Sequence, residues 1–401
     1  MDVIIKKNKG NKVELSPRKR FLSKELFPLS VIFGLIALYW LQGILYPKGS
    51  IISKLSQIIT FILCFYYLLK IQLEFKKKEF LYLAITALLF LNLFGVILTG
   101  DLSNSLHFGM LQRILGCILP FYPFYYFSKK NFLQEMHMAV FCYILLIVFV
   151  FQFFLFNEIQ TERQGRAMII NNSAYSLLKL IPFLFLLKKR LIKWGALLII
   201  IVLIIQSAKK GALLLAFISS IIFVVNDFKY IKKNKIFNRG KILILTIGLV
   251  ILVWRKILSN EFLLFRLNRA IQEGNTSGRG EIFHNIFSYW VDAPSFLNLI
   301  FGFGFAESLS ITNRHFAHND WLELLSNFGI FGVFIYLLFF RALIKLYFSF
   351  RKREKYKKIV LIIIIVFLGK TVFSMGYTAM ETFILMILIG FLLGKKELVY
   401  E

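Results

Sequence analysis

The chain has 401 residues, 58% of them hydrophobic and 17% aromatic, with a mean hydropathy of +0.71. A soluble domain of this size would be nearer half apolar, and apolar runs of about 20 residues are too long and uniform for the alternating strands of an outer-membrane barrel. The net charge of +28 would suit nucleic acid, but Lys and Arg cluster in alternate short loops, as charge-directed membrane orientation requires, so the expected partner is the lipid bilayer and not nucleic acid.

The pattern predicts an all-α polytopic membrane protein. Residues 1–25 are strongly basic, with Lys6, Lys7, Lys9, Lys12, Arg18, Lys19, Arg20 and Lys24. A signal peptide starts similarly, but the apolar run from Leu26 is longer than its hydrophobic region and leads into Tyr46-Pro47, not a small-residue cleavage site. It reads as an uncleaved first span with a cytoplasmic N-terminus. About twelve transmembrane helices are expected, over 26–46, 51–73, 80–99, 107–127, 135–156, 167–187, 191–207, 210–226, 241–258, 319–346, 359–376 and 379–394. The basic loops 74–79, 129–130, 188–193, 228–241, 351–358 and 395–396 alternate with loops poor in Lys and Arg, and one orientation with both termini inside satisfies them. Cys64, Cys117 and Cys142 fall inside apolar runs and read as packing residues. The expected organisation is transmembrane helices one to nine with a cytoplasmic tail over 1–258, a large periplasmic or extracellular helical loop over 259–318, and helices ten to twelve with a cytoplasmic C-terminus over 319–401.

Two outer segments carry positive charge against the orientation rule: the tight turn with Lys209 and Lys210, and the long loop with Arg266, Arg269, Arg279 and Arg314. An anionic ligand is the simplest physical reason to keep them; ordinary solvated surface charge is the other. Within the loop, Phe262, Phe265, Leu267 and Ile271 give residues 261–273 one apolar side, which predicts an amphipathic helix at the bilayer interface. Asn275-Thr276-Ser277-Gly278 reads as a turn before a helix over 279–291, with Arg279 at the end where backbone N–H groups favour anions. Asp292-Ala293-Pro294 stops it.

The loop ends in His318-Asn319-Asp320, directly before an apolar helix. Imidazole is the side chain best matched to accept a proton near neutral pH, although a His at a membrane edge serves equally to hydrogen-bond a loop carbonyl. His315 could share its face or be a bystander, and the pair lacks a third ligand for a metal. His107, His137 and His284 read as structural. Charge at Lys210 is costly this close to lipid and points to function or to snorkelling. Arg113 could face a substrate groove or pair with Asp101, and Lys370 could neutralise Glu381; Lys179 is a further charge within a span. Gly165-Arg166 and Asn171-Asn172-Ser173-Ala174 open the sixth span, where the amides, Asn172 among them, could bind sugar hydroxyls or cap and pack.

In order along the chain, Gly165 to Ala174, Lys209-Lys210-Gly211-Ala212, Ser277-Gly278-Arg279, and His318-Asn319-Asp320-Trp321-Leu322 with Gly329-Ile330-Phe331-Gly332 resemble the motifs of the O-antigen polymerase and O-antigen ligase superfamily of bacterial inner-membrane glycosyltransferases. The resemblance covers roughly residues 160–335. It implies an inverting, metal-independent, C-type glycosyltransferase without cofactor, using undecaprenyl-diphosphate-linked oligosaccharides as donor and acceptor, with its active site on the outer face of the inner membrane. Carried over residue by residue, Arg279 and Lys210 would bind diphosphate, with Lys209 able to substitute, and His318 would be the base. Asn319, Arg113 and Asn172 complete the expected substrate contacts. Lys210 departs from the Arg usual in the family; it keeps the charge and loses the bidentate fork.

The expected function is a polysaccharide polymerase, for O-antigen or capsule, that moves a growing glycan from its lipid diphosphate onto a new lipid-linked repeat unit, with a chain-length regulator as candidate partner. The run HNDWLELLSNFGIFG favours this branch. A ligase delivering finished glycan to lipid A-core is the alternative within the superfamily. A lipid-linked-oligosaccharide flippase is the alternative from another class, against which stand the large loop and the lack of paired inverted halves.

Overall fold

The computed structural model describes residues 24–164, 170–229, 240, 247–248, 251, 254–272, 279–312 and 315–397. The basic tail, Gly165-Arg166, most of the loop 228–241 and of the span 241–258, the turn 275–278 and Arg314 lie outside them.

The regular elements of the described residues are helices, with no β-strand among them. In chain order they are α1 (Phe27–Trp40), α2 (Ile51–Glu74), α3 (Phe80–Thr99), α4 (Ser105–Ile118), α5 (Phe121–Lys129), α6 (Glu135–Gln164), α7 (Ala174–Leu178), a 3-10 turn Ile181–Leu186, α8 (Arg190–Gln206), α9 (Lys210–Lys229), α10 (Glu261–Gln272), α11 (Arg279–Val291), α12 (Phe296–Phe301), α13 (Glu307–Ile311), α14 (Asp320–Ser349), α15 (Glu354–Phe373) and α16 (Phe383–Glu397). Starts follow local chemistry. Ser50 Oγ accepts from Ser53 N at 3.4 Å ahead of α2, and Asn104 Oδ1 accepts from Leu106 N at 2.9 Å ahead of α4, each satisfying one N–H that the helix cannot.

The all-α, polytopic reading is borne out. Five described helices, Ile51–Glu74, Phe80–Thr99, Glu135–Ile159, Lys210–Phe228 and Asp320–Ser349, are long and apolar enough to cross a membrane. Their outward faces agree. On α2 the exposed residues Ile52, Leu55, Ile59, Ile62, Tyr66, Leu69 and Leu73 recur at helical spacing, whereas Ser53, Ser56, Gln57, Thr60 and Cys64 turn inward. A stripe of that kind is untenable in water and ordinary against acyl chains. The inward polar residues satisfy themselves: Ser56 Oγ donates to Ser53 O at 2.9 Å and Thr60 Oγ1 to Ser56 O at 2.7 Å.

Two expected spans are not continuous helices. The run 107–127 divides into α4 and α5 at Leu119-Pro120, where proline lacks an N–H and crowds the preceding turn. The run 167–187 divides into α7 and the 3-10 turn, which has Pro182 in its first positions. Hydropathy reports the apolar run and is blind to the break inside it. α5 is buried along its length against α16, where Ser128 Oγ donates to Phe391 O at 2.6 Å.

α14 gives the molecule two distinct ends. The part beyond Gly329 alone, residues 330–349, rises about 30 Å at 1.5 Å per residue, enough to cross the hydrocarbon core of a bilayer. At its Ser349 end lie the expected cytoplasmic loops, tied by Lys396–Glu79 at 2.6 Å and Lys130–Glu74 at 3.0 Å. Its Asp320 end lies among α10 to α13. Gly329 interrupts α14 with φ 59° and ψ −154°, a conformation closed to L side chains. A Cβ there would also strike the backbone of Leu299 and Ile300 at the end of α12, so this glycine of the GIFG run is what lets α12 lie across the helix.

Candidate active site

The turn between α8 and α9 is built to present a cation. α8 ends at Gln206, and Ser207-Ala208-Lys209 reverses the chain with Ala208 left-handed at φ 52°. Lys209 N donates to Ser207 Oγ at 3.3 Å. From α10, Arg266 Nη1 donates to Ala208 O at 2.5 Å, and Asn260 Nδ2 just before that helix donates to Ile205 O at 3.3 Å. Leu263 is fully buried and anchors the apolar side of α10. The helix therefore packs on the turn, and its arginine reinforces the carbonyl next to Lys209.

His318 sits in the left-handed region at φ 53°, costly for a residue with a side chain and sustained only where neighbours hold it. They do so on both sides. Ala317 N donates to the buried Glu323 Oε2 at 3.1 Å, and Glu323 also accepts from Ser308 Oγ. Asn319 Oδ1 accepts from Trp321 N at 2.9 Å and Leu322 N at 3.3 Å, capping α14. Asp320, fully buried, accepts from Tyr336 Oη at 2.7 Å, from Gly376 N at 2.9 Å and from Tyr377 N at 3.0 Å. A Cβ on Gly376 would stand on the Asp320 carboxylate, so only glycine admits the clamp. Asp320→Ala should therefore lower the midpoint of thermal unfolding in detergent, with each abandoned buried donor costing about 1–3 kcal/mol; an unchanged midpoint would show that the clamp carries no stability.

His318 and the cationic turn meet in one cleft of about 730 Å³ at the Asp320 end of α14. Among the described residues lining it, Arg113, Lys209, Arg266, Arg279 and Lys370 are basic and Glu381 is the acid. Arg113 rests on the Phe316 ring, 4.7 Å from its centroid. Arg279 opens α11, whose first amides add partial positive charge. The field is strong enough to retune its members. Burial, then Arg279, Lys209, His315 and Arg113, push the His318 imidazole down to about 4, so it is neutral at pH 7 and able to take a proton. Burial, then Arg279, Arg266 and Lys370, press the Lys209 ammonium down to about 8, partly offset by Glu381. Burial and Arg279 also lower Arg266. A cleft with so little negative charge of its own favours an anionic guest.

His318, Arg279, Lys209, Arg113 and Asn172 all line this cleft. Lys210 does not: it is the first residue of α9, with Lys209 turned to the cleft in its place. Asn319 does not line it either, its carbonyl oxygen being taken by the helix cap. His315 lines the cleft from a turn closed by its own N–H on Thr312 O at 3.3 Å, not from a helical face shared with His318. Of the other histidines, His107 Nδ1 accepts from Asp101 N at 3.2 Å and His137 Nδ1 from Gln134 N at 3.0 Å, both local backbone roles. Arg266, Lys370 and Glu381 belong to the cleft and were given no substrate contact by the motifs. Glu323 belongs to none of the motifs, though an acid inside an apolar run is itself a signal.

A comparison with family models covers part of this stretch. Residues 194–337 match the O-antigen ligase family model. The O-antigen ligase match takes in α9 to α13 and the first half of α14, hence the cationic turn, Arg266, Arg279 and His318, and bears out the superfamily resemblance over that stretch. Arg113, Asn172, Lys370 and Glu381 lie outside the matched residues. No curated protein matches the chain. The O-antigen ligase family carries with it a glycosyltransferase-like activity on lipid-linked sugars in a membrane.

Proposed function

We propose that the protein polymerises a surface polysaccharide, transferring a glycan from a polyprenyl diphosphate onto the acceptor sugar of a second lipid-linked repeat unit. The observation that carries this is the meeting of a neutral imidazole with Arg279, Lys209 and Arg266 in one cleft at one end of a bilayer-length helix. The acceptor hydroxyl oxygen attacks C1 of the donor sugar while His318 takes its proton. The C1–O bond breaks, its electron pair leaves with the lipid diphosphate, and the anomeric centre inverts. A sugar hydroxyl is a poor nucleophile, so a positioned base contributes about 10²–10⁴-fold. The cations stabilise charge as it develops on the leaving diphosphate. Asn172 and Arg113 line the same cleft, which supports a role for them in contacting the glycan. The lysine loops at the far end of α14 support an outer-face cleft in the inner membrane, since basic loops stay on the cytoplasmic side.

The family description favours a second reading, a ligase that delivers finished glycan to a distinct acceptor lipid. Purified full-length protein given a lipid-linked repeat unit alone should build a ladder of longer glycans. Product only on addition of a separate acceptor lipid would establish the ligase, and translocation without a new glycosidic bond would establish an exporter. Because Lys209 and not Lys210 lines the cleft, Lys209→Ala should lower transfer about tenfold or more, the cost of a lost charge-assisted contact, while Lys210→Ala changes it less. The reverse order in a steady-state assay would move the diphosphate contact to Lys210.

A further inference from the structure

Beside the cleft is a buried charge cluster outside the residues matched by the family model. Glu381 Oε1 lies 2.6 Å from Lys370 Nζ and 3.2 Å from Lys179 Nζ. The lysine side chains are 2% and 0% exposed, whereas Glu381 is 24% exposed. Two lysine side chains thus converge on one carboxylate in a low-dielectric setting, where charged groups are rare and mark a pathway or a ligand site. The arrangement has a direction. Lys370 and Glu381 line the same cleft as the cationic turn, whereas Lys179 does not. Lys370 also stands over the Tyr175 ring, 4.8 Å from its centroid, with Tyr175 itself on the cleft wall.

From this geometry we infer that Lys370 is a further diphosphate ligand, held toward the cleft by Glu381, with Lys179 as the buried counter-charge that balances Glu381. The inference rests on the lipid-diphosphate reading above and adds a cation from α15. A diphosphate in the cleft then meets cations from the Lys209 turn, α10, α11 and α15 together.

The cluster makes an unusual prediction for Lys370→Met. The Lys179–Glu381 pair remains and is neutral as a pair, so the ligand-free variant should unfold at the same temperature as the parent or higher. Its affinity for farnesyl diphosphate, measured by calorimetry on the full chain in neutral phosphatidylcholine nanodiscs, should fall about tenfold to a hundredfold, the range for a lost charge-assisted contact. Lys370→Arg should restore most of it. A lower melting temperature in Lys370→Met, or failure to fold, would make Lys370 a structural partner and overturn the inference. Parental affinity in that variant would overturn it too, while Arg279→Ala losing affinity in the same assay would leave the diphosphate reading standing. No binding by the parent protein would remove both. Equal binding of inorganic pyrophosphate would show that the diphosphate alone is recognised, and competition by phosphatidylglycerol in the disc would replace the carrier with a phospholipid headgroup and overturn the assignment.

Discussion

Replacing His318 by alanine should lower glycan transfer by about 10²–10⁴-fold, the usual contribution of a positioned base, while leaving lipid-diphosphate binding intact. The backbone at 318 is held by Glu323, Asn319 and Asp320, not by the imidazole, so the variant should fold and insert normally. The pH profile provides the sharper check. With its folded value depressed to about 4, the imidazole is deprotonated across pH 5–8, so kcat/KM should stay flat on the acid side until pH nears 4. A bound diphosphate partly cancels the cations that oppose imidazolium, so the acid limb of kcat should lie at higher pH than that of kcat/KM. Coincident limbs at the ordinary histidine value would argue against a base held among cations. Full turnover in His318→Ala would remove the base assignment.

Arg279→Ala should reduce kcat/KM by about 10²–10³-fold, the scale for one lost stabilising group at a developing negative charge. Arg279→Lys should recover only part, because the ammonium restores charge without the paired donors of the fork. The two predictions are linked. Arg279 is the largest cause after burial of the depressed imidazole, so its removal should move the acid limb of kcat/KM upward toward the ordinary histidine range. A profile unchanged in Arg279→Ala, with rate retained, would separate Arg279 from His318 and break the shared site.

The sequence carried the helical membrane architecture because about twenty consecutive apolar residues have few other uses. It also carried α10 and α11, whose amphipathic pattern, stop signal and Arg279 placement are local. It did not carry the breaks inside 107–127 and 167–187, which depend on single prolines that hydropathy averages away. The site was legible where residues far apart share a motif order, as with His318, Arg279 and the 209–210 turn. Lys209 could not be told from Lys210 by sequence, since one step along the chain at a helix start turns a side chain about 100° and only tertiary docking by Arg266 fixes which one faces inward. Lys370 and Glu381 were legible as a pair but not as a cluster, because the third member, Lys179, lies about two hundred residues upstream.

The carboxylate of Asp320 draws its backbone donors from Gly376 and Tyr377, 56 and 57 positions later in the chain. Tyr336, in the same helix, supplies a hydroxyl donor, but the backbone donors come from beyond α15. The anchor that sets the start of α14, and with it the backbone beside His318, is therefore complete only once the chain beyond α15 has been made.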